Sequence, residues 1–258
     1  MRSCHVTPAI VLRARPFGES DKIVSFLTRD FGKIFGIAKG ALRSRKRFVN
    51  SLEPLALVNL CFQDRVHSNL AFILTAELTF GYRQLVNSFE SISHAAYLVE
   101  ITDGLIGERE ENGAVYQHLS ESLRELEAHG TSHRFLTAYE LKLLRLVGYQ
   151  PVLDHCQRCA KAPGTWTTRP WYFSVIDGGI LCDSCAACRR ETQPISVKAI
   201  EVLAALQAEN GNFPPSLLLP FSVISEIRAV MMRLVEHYMP REVKSAVFLK
   251  SVVGSQTN

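Results

Sequence analysis

Four cysteines in the second half of the chain form the most constraining pattern in the sequence. Two CxxC pairs, separated by 22 residues, have the spacing of a four-thiolate zinc site. Two thiolates three residues apart can bind one tetrahedral ion from a tight turn, and a distant second pair completes the coordination. Such a closed site leaves no position for a substrate water, so the pattern predicts one structural Zn²⁺ rather than a catalytic ion. The predicted ligands are Cys156, Cys159, Cys182 and Cys185.

Other assignments of these cysteines stay open. The four could form two disulfides or be unrelated thiols, and Cys188 continues the spacing, so that it could replace Cys185 as a ligand. We favour Cys185 because the Gly-Gly dipeptide at 178–179 lies just before the second pair, where a tight approach to the metal requires small residues. His155 is interpreted as a bystander rather than a ligand.

Length and composition indicate a multi-domain cytoplasmic protein. A chain of 258 residues, 47% of them hydrophobic, can bury one large core or two smaller ones. No run approaches the roughly 18 apolar residues of a membrane helix, and the N-terminus lacks the pattern of a signal peptide. Seven cysteines, an odd number, fit a reducing compartment better than a secreted disulfide framework. We therefore expect no association with a membrane.

The charge is distributed unevenly along the chain. Residues 1–80 contain 12 Lys and Arg against 6 Asp and Glu, whereas residues 81–150 contain 6 against 10. A basic first module followed by an acidic one suggests a part that binds a polyanion, joined to a part that packs or contacts proteins.

The first eighty residues have the pattern of a small β-barrel. Short apolar runs alternate with turn residues, and five strands in this length must close or be covered, because exposed strand edges invite aggregation. The predicted strands are Ala9–Leu12, Ile23–Leu27, Ile34–Ile37, Leu55–Phe62 and Leu70–Leu74.

After Gly81 the apolar residues follow helical spacing. Helices flank the cysteine segment on both sides in sequence, so they could complete one bundle around it. The predicted helices are Ser91–Leu105, Ala114–Leu126, Ser132–Gly148, Ser196–Leu206 and Ser222–Tyr238. The predicted domains are 1–80, a nucleic-acid-binding barrel; 81–150, the first part of a helical domain; 151–191, the zinc segment; 192–250, the second helical part; and 251–258, a tail.

The densest group of cations lies between two predicted strands. The segment 39–48 contains Lys39, Arg43, Arg45, Lys46 and Arg47, and it ends at Phe48. A barrel loop with cations beside aromatic side chains is typical of single-strand binding, because cations neutralise phosphates and aromatic faces stack on bases. Of the nearby aromatics, Phe48 is the more exposed candidate for stacking and Phe35 fits the core better. A solvated charged loop is the alternative. Other cations could extend the surface: Arg13, Arg15, Lys22 and Lys33.

Several motifs occur along the chain in a characteristic order. They are Val11–Val24, Leu27-Thr28, Phe31–Lys33, Ala38–Ala41, Ala76-Glu77, Ala96-Tyr97 with Glu100, Glu140–Leu144 before Gly148–Pro151, and Gly178–Cys185 after Cys156 and Cys159. Together these motifs resemble the bacterial RecO family of recombination mediators. The similarity covers about Pro8 to Glu191, and more loosely the helices that follow.

The resemblance implies an α+β protein with an N-terminal five-stranded OB-fold barrel and an α-helical domain that carries a Cys4 zinc segment. It implies a non-enzymatic role in recombinational DNA repair: binding single- and double-stranded DNA, annealing complementary strands, and loading RecA together with RecR and often RecF. It also implies contact with single-stranded DNA-binding protein and a cytoplasmic location at the nucleoid. Carried onto this chain, the DNA contacts fall on Lys39 and Arg43, with Arg45, Lys46 and Arg47 as neighbours.

Two other classes of function are weighed against this one. A metal-dependent hydrolase or nuclease requires carboxylates and histidines around an open metal position, but the eight histidines are scattered without ligand spacing. A scaffold that binds only proteins would tolerate loss of the cations between Lys39 and Arg47. Removing those charges therefore separates the scaffold from a DNA-binding protein.

Overall fold

The structure is a computed structural model that describes residues 4–44, 46–163, 170–208, 219–246 and 249. The chain divides into two compact units. Unit 1 contains residues 1–130 and the segment from Val243 onward, and unit 2 contains Thr131–Glu242.

The described residues of unit 1 form five strands that close into a barrel in the order β1-β2-β3-β5-β4. The strands β3 and β5 are parallel, and every other neighbouring pair, including β1 with β4, is antiparallel. A five-stranded barrel of this kind is an OB-fold. The strands are β1 (Cys4–Phe17), β2 (Asp21–Thr28), β3 (Gly32–Ala38), β4 (Leu57–Arg65) and β5 (Ser68–Phe80).

The predicted strands are confirmed, and all five are longer than predicted, β1 and β5 by the most. The run Ala9–Leu12 is the middle of β1, and Leu70–Leu74 lies in the first half of β5. A bulge between Val11 and Arg13 bends β1, so that its first half pairs with β4 and its second half with β2. Alternate side chains point inward, and those of Phe26, Ile34 and Phe62 are fully buried in the barrel core.

Two longer α-helices also lie among the described residues of unit 1, α1 (Phe89–Leu105) and α2 (Gly113–His129). The side chains of Ser88 and Asn112 cap them by accepting hydrogen bonds from backbone N–H groups of the first turn. Both helices contact β1, which is why they belong to the same compact unit as the barrel. The predicted boundary after Phe80 lies where β5 ends.

A buried cluster of charges joins α1 to the barrel. The Asp103 carboxylate lies 2.6 Å from Arg13 Nε and 3.5 Å from Lys33 Nζ. Lys33 also donates a hydrogen bond of 2.7 Å to the Asp103 carbonyl oxygen. Because Asp103 is only 5% exposed, these cations compensate a buried charge. Lys33 is itself buried, whereas Arg13 remains exposed.

We expect Gly32→Ala to destabilise unit 1 more than Gly18→Ala. Both glycines have left-handed backbones, with φ of +63° and +61°, which costs a residue with a β-carbon roughly 1–2 kcal/mol. A β-carbon at Gly32 would also collide with the Glu110 carbonyl, whereas at Gly18 no described atom lies within 4 Å. Overpacking of this kind costs about 1–3 kcal/mol more. Urea unfolding of the two variants measures the difference, and equal losses would show that backbone conformation alone determines the cost.

Unit 2 combines a helical bundle with a small sheet. Its described helices are α3 (His133–Leu146), the single turn α4 (Asp183–Ala186), α5 (Val197–Ala208) and α6 (Phe221–Tyr238). The helices α3, α5 and α6 pack against one another, so those on either side of the cysteine segment in sequence form one bundle. The described strands of unit 2 form a sheet in the order β7-β6-β8, namely β6 (Trp171–Ser174), β7 (Gly179–Cys182) and β8 (Thr192–Ile195).

Helix positions agree with the predictions to within a few residues, and the predicted N-cap Ser132 accepts a hydrogen bond from Phe135 N–H. The small sheet was not predicted, because four-residue strands are too short to show a period of two. None of the described helices is both long enough and apolar enough to cross a lipid bilayer.

Candidate metal centre and nucleic-acid interface

The structure brings the four predicted metal ligands together. The sulfur atoms of Cys156, Cys159, Cys182 and Cys185 all lie within 4.8 Å of one another. Around a tetrahedral zinc with Zn–S bonds of about 2.3 Å, sulfur atoms lie roughly 3.8 Å apart. The sulfur atoms of Cys159 and Cys182 are 3.6 Å apart. The four thiols thus fit the geometry of one zinc ion.

Each CxxC pair lies in its own tight backbone feature. In the first, Cys156 N–H donates to the Lys161 carbonyl at 2.7 Å, and Ala160 N–H returns to the Cys156 carbonyl at 2.9 Å. Ala160 has a φ of +57°, which closes this turn. In the second, Cys182 ends β7 and Cys185 lies one turn later in α4. Both pairs therefore present their sulfur atoms from backbone that is already fixed.

Main-chain hydrogen bonds hold the first pair against β7. Gln157 N–H donates to the Ile180 carbonyl at 2.9 Å, and Ile180 N–H donates to the Val152 carbonyl at 3.0 Å. A β-carbon at Gly179 would collide with this same Val152 carbonyl. The glycine is therefore needed for the approach of two backbone segments. The expectation that small residues here serve the approach to the metal is wrong.

Asp177 connects the two halves of the site and was missed from the sequence. Its carboxylate lies 2.7 Å from Arg189 Nη2 and 3.6 Å from Arg158 Nε, and Ser174 Oγ donates to it at 2.7 Å. Burial alone would raise the pKa of Asp177, but the bonds from Ser174 and Arg189 outweigh it and hold the pKa below its ordinary value. The Asp-Gly dipeptide at 177–178, a turn signal, is the only sequence hint of this role.

The electrostatics of the sulfur atoms favour a cation. Burial raises the pKa of Cys156, but backbone N–H groups directed at its sulfur, from Cys182, Arg158 and Cys159, outweigh burial and bring the pKa down to about 6. The adjoining Cys182 sulfur, together with burial, raises the pKa of Cys185 to about 12. One thiolate forms readily, and further thiolates at this distance require a positive ion. Four thiolates are the donor set of a closed structural zinc site.

Two neighbouring residues lie outside the cluster. Cys188 is exposed and is not among the thiols that converge, so the choice of Cys185 as the fourth ligand agrees with the structure. His155 Nδ1 lies 2.8 Å from the carboxylate of Asp154, in accordance with its interpretation as a bystander.

The basic segment, residues 39–47, begins directly after β3, at one end of the barrel. Gly40 N–H donates to the Asp21 carboxylate at 2.8 Å, and Leu42 N–H donates to the Ser20 carbonyl at 2.8 Å. These bonds place a 3₁₀ turn, Ala41–Arg43, against the turn between β1 and β2. The Gly40 N–H bond is the largest cause of a lowered pKa at Asp21, so this carboxylate stays ionised beside Lys39 Nζ, at 3.2 Å.

The predicted DNA-binding residues differ in what they do within the protein. Lys39, Arg43, Lys46 and Arg47 are exposed, and Arg45 lies outside the described residues. Within the described part of the chain, Arg43 and Lys46 make no ion pair. Arg47 instead links the two ends of the segment, because its Nη2 donates a hydrogen bond to the Lys39 carbonyl oxygen at 2.7 Å.

The expectation that Phe48 is an exposed stacking residue is wrong. Its side chain is 6% exposed and belongs to the barrel core together with Leu52 and Ala56. The Arg47 guanidinium covers the Phe48 ring at 5.0 Å from its centroid. The apolar residues of this irregular segment cover an end of the barrel, which buries the ring and leaves no open face for a base. Phe35, placed in the core by the sequence, is partly exposed on β3.

Three further cations that could have extended the basic surface are paired with carboxylates. Arg13 and Lys33 bind Asp103, and Lys22 Nζ lies 2.7 Å from the Glu53 carboxylate. The fourth, Arg15, is exposed on β1, as is Arg13, so the exposed cations of the barrel include both of them as well as those of the segment 39–47.

Comparison with known families identifies both parts of the chain. A family model described as "Recombination protein O N terminal" matches residues 1–82, and one described as "Recombination protein O C terminal" matches residues 86–246. The two matches meet close to the end of β5, where the barrel ends.

Curated relatives are similar over nearly the whole chain. A DNA repair protein RecO from Syntrophus aciditrophicus (strain SB) is 31% identical over 253 residues, 97% of each chain. One from Anaeromyxobacter sp. (strain Fw109-5) is 34% identical over 244 residues, 94% of each chain. One from Myxococcus xanthus (strain DK1622) is 30% identical over 244 residues, 95% of this chain and 96% of the relative.

Proposed function

This chain belongs to the RecO family of DNA repair proteins, and on that premise we propose that it is a non-enzymatic recombination mediator. It binds single- and double-stranded DNA, anneals complementary strands, and promotes RecA loading on DNA covered by single-stranded DNA-binding protein. RecR, and in some settings RecF, are its partners in this reaction. It acts in the cytoplasm, where the DNA is.

The observation that carries the proposal is the exposed basic segment on an OB-fold barrel. OB-folds bind oligonucleotides through one barrel face and adjoining loops, among them the loop between the first two strands. Here Leu42 N–H is bonded to Ser20 in the β1–β2 turn, so Lys39, Arg43, Lys46 and Arg47 are presented beside that loop. Arg45 belongs to the same segment in sequence.

Annealing can be explained by these charges without a chemical step. Two complementary strands repel each other through their phosphates, and a surface that neutralises phosphates on both lowers the cost of their encounter. Backbone contacts of this kind carry no sequence information. We therefore expect affinity that falls steeply with salt and depends little on base order. The zinc ion, held by the four cysteines, has a structural role.

We expect the double variant Arg43→Gln, Lys46→Gln to bind DNA roughly tenfold more weakly at moderate salt, because two phosphate contacts are lost. The salt slope should fall by about one for each contact removed. Neither side chain makes an ion pair within the described residues, so folding should be unaffected. Fluorescence anisotropy with a labelled oligo-dT and an unrelated duplex, across a salt series, measures both quantities.

The matched control removes two exposed cations from unit 2, in the variant Lys198→Gln, Arg233→Gln. It changes the net charge by the same amount, and we expect wild-type binding. Equal weakening in both double variants would show that net charge is responsible rather than the segment. If neither weakens, the DNA site is elsewhere, and if the wild type does not bind at low salt, the protein is a scaffold. Arg47→Gln is a poorer test because it also breaks the bond to the Lys39 carbonyl.

A further inference from the structure

Two cysteines of unit 1 lie side by side on the outer face of the barrel. In the antiparallel ladder of β1 and β4, Cys4 is opposite Gln63 and Cys61 is opposite Val6. Directly opposite residues share a face of a sheet, so the two cysteines are diagonal neighbours on one face. That face is the outer one, because Val6 is 60% exposed while the flanking Leu60 and Phe62 are fully buried.

The two thiols are already close to bonding distance. Their sulfur atoms are 2.7 Å apart, compared with about 2.05 Å in a disulfide bond. Both residues lie in a continuous ladder of paired strands, and because their sulfur atoms are already in contact, only a small further approach is needed to form the bond. The other five cysteines of the chain lie in unit 2.

The two thiols differ in accessibility. Cys4 is exposed, whereas Cys61 is partly buried. Burial, followed by the hydrogen bond to Cys4, raises the pKa of Cys61 to about 11. Cys61 is therefore kept as a thiol that bonds to Cys4, and Cys4 is the sulfur that a reagent in solution reaches first.

We infer that Cys4 and Cys61 form a reversible thiol–disulfide site whose oxidant is a low-molecular-weight disulfide. The Cys4 thiolate attacks one sulfur of the oxidant, forms a mixed disulfide and releases one thiolate, which takes up a proton. Cys61 then loses its proton, attacks the Cys4 sulfur and expels the second thiolate. The protein loses two protons and two electrons, and the oxidant is reduced to two thiols.

The disulfide bond would link the first residues of β1 covalently to β4. These two strands close the barrel, and the linked residues are 57 positions apart in sequence. Cross-linking distant residues reduces the freedom of the unfolded chain, so oxidation should raise the melting temperature of unit 1 by several degrees. The proposal does not depend on DNA binding.

The test uses the full-length, zinc-loaded chain with the single change Cys188→Ser, so that the free thiols outside the metal site are Cys4 and Cys61. The protein is equilibrated in mixtures of reduced and oxidised glutathione and then alkylated. Chains that still hold zinc are digested, and their peptides are mapped by mass spectrometry without reducing the disulfides. We expect a Cys4–Cys61 cross-linked peptide, lighter than the sum of its parts by two hydrogens, which disappears in reduced glutathione.

Two single variants make the result unambiguous. Cys61→Ser should accumulate a glutathione adduct on Cys4, because no second thiol displaces it, whereas Cys4→Ser should react slowly. A stable Cys4 adduct in the presence of Cys61, a cross-link between two chains, or no cross-link in fully oxidised glutathione would overturn the proposal.

Discussion

Replacing Cys156 with serine is expected to release the metal and to unfold the zinc segment while the barrel stays folded. The sulfur of Cys156 is fully buried and receives three backbone N–H groups. In small zinc domains the metal contributes roughly 10–16 kcal/mol of apparent binding free energy, which is also folding free energy. The described sheet has three strands of only four residues each, so losing one of four ligands should remove its folded state.

The matched control is Cys188→Ser, the same substitution at an exposed thiol outside the cluster. Metal analysis should give one zinc per chain for the wild type and the control, and much less for Cys156→Ser. Tryptophan fluorescence reports on this unit alone, because both tryptophans of the chain, Trp166 and Trp171, belong to it. Unchanged zinc content and melting in Cys156→Ser, or loss of zinc in the control, would contradict the assignment of ligands.

The parts of the structure that could be predicted are those encoded by local patterns. The barrel strands stand out as short apolar runs bounded by turn residues, and the metal site depends on spacing within two short turns. Neither requires knowledge of which distant segments meet. The four thiols selected by their spacing do converge, but the reason for choosing Cys185 was wrong, because Gly179 makes room for the Val152 carbonyl.

The features that were missed depend on long-range packing. Phe48 follows a run of cations and looks exposed in sequence, but the apolar residues Leu52 and Ala56, at intervals of four, bury it with the barrel core. Lys33 looks like part of a basic surface, yet its partner Asp103 is seventy residues away. A single sequence does not show such pairings. The number of cations in a segment is therefore a poor predictor of a basic surface. A better predictor is the fraction of those cations that make no ion pair or hydrogen bond within the protein.

The largest stability effect that we expect away from the metal is at Arg228, where Arg228→Met should lower the free energy of unfolding of unit 2. The guanidinium makes two bonds to the Glu140 carboxylate, Nη1 to Oε2 at 2.6 Å and Nη2 to Oε1 at 3.0 Å. This pair joins α6 to α3, and Glu140 has 0% exposure. Removing one partner of a buried ion pair typically costs about 3–5 kcal/mol, because a buried charge is left uncompensated.

The double variant Glu140→Leu, Arg228→Met separates two contributions to the free energy of unfolding. One is the net contribution of the ion pair, and the other is the cost of leaving one buried charge without Arg228. Two apolar side chains in place of a buried pair often leave stability unchanged or higher, so we expect the double variant to be more stable than Arg228→Met alone. Arg233→Met, on an exposed position of the same helix, should change stability by less than about 0.5 kcal/mol. Urea unfolding followed by tryptophan fluorescence gives all three values. A double variant as unstable as Arg228→Met would show that the loss comes from packing rather than from the charge on Glu140.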